Sequence, residues 1–269
     1  GTVTGVQTCA LPILMTNSEI LAVSKILLES RAFTKEEMSG ILNKLVAGCV
    51  PLENVKLVSA LVSNELFHYV ELTHPVGIQD KLWEIGCDIQ QHHLMRIRYQ
   101  RQGADAASAV ERIVEPVSIL FSEYYFYLNA YITKENDGKY TRKYDYPAIF
   151  RIDRIADYKI MEQTFSLPYA SRFQEGEFRK RVQFMYPGRL QSIRLRYTGS
   201  SVEAILDRLP TAKIVSQDAN GYLVEAEIYG NGIVMWLLSQ GNRVEVLAPQ
   251  TLREEMFRVL TAMLERYQP

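Results

Sequence analysis

Cysteine is nearly absent. The chain of 269 residues holds three, Cys9, Cys49 and Cys87. Their odd number and the lack of any CxxC pair exclude a disulfide framework and fit a reduced, cytoplasmic setting. Histidine is also scarce: His68, His74, His92 and His93 do not fall at metal-ligand spacing with a cysteine, so no zinc or other metal site is expected. No apolar run reaches the roughly 20 residues that a bilayer span needs, so no membrane association is expected. Neither sign of charge is in excess. Thirty Lys and Arg stand against 31 Asp and Glu, a net charge of -1, so any recognition by charge must be local. There is no nucleophile–base pair and no Gly-rich phosphate loop. Neither catalysis nor a cofactor is therefore expected.

What remains is an ordinary globular mixture, 47% apolar and 23% charged, long enough for one large or two modest domains. The first residues, GTVTGVQTCALPI, end in a short apolar stretch without the basic start of a signal peptide. Residues 1–13 resemble one frame of a sequencing-library adapter, so the native sequence is expected to begin near Leu14.

Residues 14–80 read as a helical region. Thr16 with Glu19, and Thr34 with Glu37, have capping-box spacing, and Ile20, Val23, Ile26 and Leu27 repeat with helical period. Pro51 opens a further amphipathic run through Leu52, Val55, Leu61, Leu66 and Phe67, and another helix is expected from Ile78 to His92. Residues 81–168 then turn to period two. LMRIRYQ, ERIVEPVSILFS, YYFYLNAYI, KYDYPAIFRI and DRIADYKIM are read as short strands, with RQGADAAS as a loop and a hairpin turn at Asp137-Gly138. Pro116 is expected at an edge or a bulge. Five such strands in succession predict a small barrel or rolled sheet. Residues 176–269 read strand, helix, strand, strand, helix, strand, helix, the ferredoxin-like split order plus one helix. Ser200 or Ser201 is expected to cap its first helix, and Thr251 with Glu254 its last. The fold class expected is α+β.

Two stretches could carry recognition. In YYFYLNAYI, alternation puts Tyr124, Phe126, Leu128, Ala130 and Ile132 on one face and Tyr125, Tyr127, Asn129 and Tyr131 on the other. The second face suits base stacking, but also ordinary cross-strand packing. FRIDRI, residues 150–155, places two arginines and an aspartate among apolar residues. A buried guanidinium is costly unless paired, so Arg151 and Arg154 need a carboxylate or an anionic ligand. Asp153, Asp157 and Glu115 are the nearby candidates. As one strand, FRIDRI would put Arg151 and Asp153 on the face opposite Arg154, unless the chain bends between them. Arg112, with Arg96, Arg98 and Arg101, forms either a local basic patch or a solvated face.

RIVEPVSILFSEYYFYLNAYI followed by YPAIFRIDRI resembles a WYL domain. The family's Trp-Tyr-Leu signature matches Phe126, Tyr127 and Leu128, with Phe in place of Trp; its Arg-x-x-x-Pro matches Arg112 and Pro116; its Arg-x-Asp-Arg-Ile matches Arg151 to Ile155. WLLSQGNRVEVLAPQTLREEM resembles the extension that follows WYL domains in bacterial regulators. The likeness spans roughly Trp83 to Tyr267. It implies an Sm-like, SH3-type barrel that senses a single-stranded nucleic acid or a nucleotide-like anion, in a protein that dimerises. The ligand-site candidates are Tyr127, Arg112, Arg151 and Arg154, joined by Tyr125, Asn129 and Arg98 from the strand reading. Loss of the indole donor at Phe126 falls on the apolar face, where packing should survive.

Such regulators read promoter DNA through an upstream winged helix-turn-helix. Residues 14–72 match a linking region better. FTKEEMSGILNKL lacks the base-reading side chains of a recognition helix, and no wing hairpin follows it. A DNA reader is therefore expected upstream of this sequence. The alternative is a stand-alone accessory protein that binds single-stranded RNA or DNA without a promoter.

Overall fold

The computed structural model describes residues 15–72, 77–100, 109–167 and 173–268. The adapter-like start and the loop expected at RQGADAAS lie outside them. The architecture is mixed α+β, and the chain divides into two compact units, Gly1–Leu82 with Glu123–Tyr125, and Trp83–Ser122 with Phe126–Pro269.

The first unit is helical: α1 (Asn17–Glu29), α2 (Lys35–Cys49), a one-turn 3₁₀ segment (Leu52–Asn54) and α3 (Val55–Phe67). Both expected capping boxes are present. Thr16 and Thr34 each accept the N–H of the glutamate three residues on, and that glutamate accepts the threonine's N–H in return. The core gathers Ile20, Val46, Val50 and Val58. In α3 the expected stripe is rotated. Val58 and Val62 face inward, whereas Leu52, Leu61 and Phe67 are exposed. With apolar residues around most of α3, periodicity alone could not choose the buried side.

The second unit begins within α4 (Gln79–Gln91), whose Ile85 is fully buried. Its first sheet holds β1 (His93–Tyr99), β2 (Val110–Ser122), β3 (Tyr125–Asn136), β4 (Lys139–Arg142), β5 (Ala148–Arg151) and β6 (Ile155–Thr164). The order is β4-β3-β2-β1-β6, with β5 also on β3. The ladders of β1 with β2 and β6, and of β3 with β4 and β5, are antiparallel. The barrel expected from the strand count is not closed by hydrogen bonds: among the described residues no ladder joins β5 to β6, and one 3₁₀ turn (Ile152–Arg154) links them. The hairpin turn between β3 and β4 falls on Asp137 and Gly138, both at positive φ, as a two-residue primed turn requires. Pro116 lies within β2 and not at the sheet's edge. It stands two residues past Val114, the last β2 residue in the ladder with β1.

The helix α5 (Glu175–Arg181) has no counterpart in the sequence pattern, since its seven residues bury only Phe178 and leave no periodic stripe. The second sheet follows: β7 (Leu190–Tyr197), α6 (Glu203–Arg208), β8 (Lys213–Asp218), β9 (Gly221–Tyr229), α7 (Ile233–Ser239), β10 (Val244–Ala248) and α8 (Gln250–Tyr267). The expected element order holds, and the spatial order is β10-β7-β9-β8. Its core joins Ile193, Leu195, Val224, Ile228, Ile233 and Leu237. Gly221 is required at its turn: φ is +106°, and a Cβ there would lie 2.2 Å from the Tyr197 carbonyl oxygen. At α6 the expected serine cap is displaced: Val202 occupies the N-cap and no side chain caps the helix, although Ser201 Oγ accepts the Glu203 N–H at 3.3 Å. At α8 the expected cap is displaced. Pro249 occupies the N-cap, so Thr251 lies inside the first turn and no side chain caps the helix.

Candidate functional site

FRIDRI is not one strand. β5 ends at Arg151, the chain turns through Ile152, Asp153 and Arg154, and β6 begins at Ile155. The alternation that separated the two arginines therefore does not apply across the motif. Ile152 and Ile155 are fully buried and pin the turn. Arg151 lays its guanidinium flat against Asp153: Nε donates to Oδ1 at 3.0 Å and Nη2 to Oδ2 at 2.7 Å. The pair is largely withdrawn from water, with side-chain exposures of 19% and 5%. Of the other two carboxylates considered for this motif, Asp157 lies beside Arg98 in the β1–β6 ladder, and Glu115 serves Arg142 instead. Arg142 Nε reaches it at 2.5 Å, while the guanidinium carbon lies 3.8 Å from the Tyr131 ring centroid. Burial pushes the Tyr131 phenol above its ordinary value, against the pull of Arg142.

Tyr99 organises the surroundings of the turn, a role that no sequence pattern indicated. Its hydroxyl accepts the Arg151 N–H at 3.4 Å, and its ring meets Phe150 edge-on at 5.1 Å. Its backbone pairs with Val110 on β2 and Ile155 on β6. The next residue, Gln100, donates its N–H to the Arg154 carbonyl at 3.0 Å. The chain positions of Arg98, Arg112, Arg151 and Arg154 are thereby drawn to the end of β1. The one available signal for Tyr99 is its place at the close of the Met95, Ile97, Tyr99 face, whose first two members are fully buried.

The individual candidates differ. Arg112 is half-buried and donates to the Glu111 carbonyl at 2.8 Å. Arg98 is exposed, but its ladder neighbours are Glu111 and Asp157, and Arg96 pairs with Glu111 at 2.9 Å, so this stretch alternates in sign. Tyr127 sits directly opposite Arg151 in the β3–β5 ladder. It also packs on a cluster of Leu120, Phe178, Val182 and Met185. Tyr125 is half-buried. Asn129 is fully buried, its amide donating to Ser118 Oγ at 2.9 Å. The polar face read from alternation is therefore closed at Asn129, because both sides of β3 are covered along Leu128, Asn129 and Ala130. Phe126 packs edge-on against Phe121 at 5.1 Å, as expected for the apolar face.

Among the described residues no group of His, Cys, Asp and Glu could hold a metal ion, and no helix is long and apolar enough to cross a membrane. A cleft of about 260 Å³ opens beside α4, between His92, Pro116, Val117 and Phe173, and none of the candidate residues lines it.

Residues 88–160 match the WYL domain and residues 189–264 the WCX domain. Both domains are present in the chain, and the first contains the arginine-bearing turn. Among solved structures the chain is similar to proteasome accessory factor B/C (PafBC) of Arthrobacter aurescens, at 20% identity and a TM-score of 0.39 over 95% of this chain. It spans 36% of the length of that protein. It is also similar to a CRISPR Cas-related protein, at 15% identity and a TM-score of 0.43, over 93% of this chain and 72% of that one. No curated protein matches.

Proposed function

We propose that this chain, carrying a WYL and a WCX domain, is the ligand-sensing and dimerisation portion of a bacterial, cytoplasmic transcription regulator. It binds a single-stranded nucleic acid or a nucleotide-like anion and performs no catalysis. The observation that carries this reading is the convergence of the Arg112, Arg151 and Arg154 backbone positions near Tyr99 and Gln100 within the WYL domain, with Arg98 next along β1 on the opposite face. Arginine suits this role because its planar fork matches phosphate oxygens and stays charged when partly dried. The two arginines of the turn divide the work. Arg151, bound at two points to Asp153, braces the turn, and Arg154 serves the ligand, with Arg112 on the Tyr99 face of the sheet, Tyr127 opposite Arg151 in the β3–β5 ladder, and Arg98 adding charge from the other face. We further propose that the six strands form an open, rolled sheet of the Sm-like type and that β7 to β10 with α6 and α7 form the ferredoxin-like unit. Ligand binding would shift the balance between two arrangements of the dimer, and so of an attached DNA reader.

The test is fluorescence anisotropy with labelled single-stranded DNA and RNA oligonucleotides at two salt concentrations. Saturable binding that weakens with salt, and that falls about tenfold or more in folded Arg154→Ala and Tyr127→Ala, supports the reading. Binding unchanged in both variants refutes the site, and no binding by the wild type refutes the nucleic-acid form of the reading and leaves the small anion.

A further inference from the structure

Helix α8 carries more apolar surface than its own domain covers. Its inner face places Leu252, Met256 and Val259 on the core of the second sheet. From Thr261 to Gln268 every residue is exposed, so the last two turns stand clear of the other described residues. A surface helix normally turns polar residues outward. This one presents Phe257, Leu260, Leu264 and Tyr267, the first 73% and the last 84% exposed, with Met263 alongside. Their spacing of three, four and three residues is the a/d seam of a two-helix coil. Glu255, Arg258, Glu265 and Arg266 fall at the b, c and f positions, away from that seam. Two free turns of helix are marginal in water without a partner, which sets the stripe apart from scattered surface apolar residues.

We propose that this stripe pairs with the same stripe of a second copy of the chain, as an antiparallel helix pair about a two-fold axis. This rests on the dimer part of the reading above, and names the surface that forms it. A two-fold axis near Ala262 sets Phe257 against Tyr267 of the other copy and Leu260 against Leu264, so the seam is self-complementary in size. The flanking positions then bring Thr261 beside Thr261 and Glu254 beside Gln268 on one side, and Met263 beside Met263 on the other. No like charges meet across the seam, which leaves nothing to repel a second copy. Antiparallel pairing also opposes the two helix dipoles. The seam residues offer on the order of 500 Å² of apolar surface per copy, so two copies bury roughly 1,000 Å², about the threshold of a specific interface.

The mass of the whole chain is measured by light scattering after gel filtration, beside Leu260→Glu/Leu264→Glu. The proposal expects a dimeric wild type and a variant of half the mass that still unfolds cooperatively, since both positions are exposed and only the stabilisation by the second copy is lost. A second measurement fixes the geometry. Phe257→Cys/Tyr267→Cys should cross-link into a covalent dimer on oxidation, while neither single variant does. The two positions lie about 15 Å apart along one helix, too far to bridge within a chain. A monomeric wild type overturns both this proposal and the dimer reading. A dimer that survives the glutamates and does not cross-link overturns the helix pairing alone. Self-cross-linking of either single variant overturns the antiparallel register.

Discussion

The two sheets of the chain are both rich in arginine, yet they treat it in opposite ways. On the second sheet, Arg194 meets Glu225 across the β7–β9 ladder with Nε at 2.8 Å, and Arg196 lies 3.7 Å from Asp218. Arg253 meets Glu245 at 2.9 Å. The carboxylates of these pairs remain open to water. On the first sheet, the carboxylates of Asp153 and Glu115 are almost dry, and each is met by an arginine. Identical residue types thus form solvated pairs on the second sheet, and on the first form dry anchors beside the solvated Arg96–Glu111 pair. What differs is whether the carboxylate has water as an alternative partner.

The largest effect expected from this contrast is at Asp153. Asp153→Ala leaves the Arg151 guanidinium mostly buried with its two-point partner gone, at a cost of about 3 kcal/mol. Urea denaturation checks this, and the double variant with Arg151→Ala should cost less than the sum of the two singles. Additive costs would mean that the pair does not brace the turn. Next comes Glu115→Ala, at about 1–2 kcal/mol. It removes a charge-assisted hydrogen bond, but Arg142 keeps the Tyr131 ring and is open enough to turn to water. Arg194→Ala on the second sheet should change stability by less than about 1 kcal/mol. If it matched Asp153→Ala, burial would not be what separates the two sheets.

Much of this contrast is legible in the residues, and the failures have physical causes. The capping boxes at Thr16 and Thr34 need only local spacing, and the turn at Asp137-Gly138 needs only backbone chemistry. The element order of the second sheet follows from clean switches of period. The bend inside FRIDRI is not legible as a bend, because Phe150, Ile152 and Ile155 also satisfy a strand with one irregularity. The pairing of Arg151 with Asp153 can be named as the bracing option, since two residues apart they share a side in a strand and also meet across a tight turn. Asn129 falls on a wet face in the strand reading because alternation reports which residues share a side, and says nothing of what covers that side. Tyr99 escapes for a related reason. Its importance comes from Arg151 and Phe150, distant in sequence, and no local pattern carries that.

The smallest effect expected lies on α5, and it concerns pH. Glu177 accepts from Lys180 at 2.6 Å and from Arg181 at 2.6 Å, and these hydrogen bonds, Lys180 first, lower its pKa from 4.5 to about 2. A carboxyl whose pKa is depressed by folding contributes stability above its unfolded value and loses it as pH falls through the folded one. The contribution is therefore complete above pH 4.5 and disappears between pH 4.5 and about 2. Glu177→Gln removes it. The melting temperatures of wild type and variant should then differ by a constant amount at neutral pH and converge in that acid window. Because Glu177 is open to water, and Arg181 keeps Glu227 at 2.9 Å, the difference should be smaller than that of any anchor on the first sheet. A gap that stayed constant down to about pH 2 would show that Glu177 acts on α5 by packing or helix propensity and not through its charge.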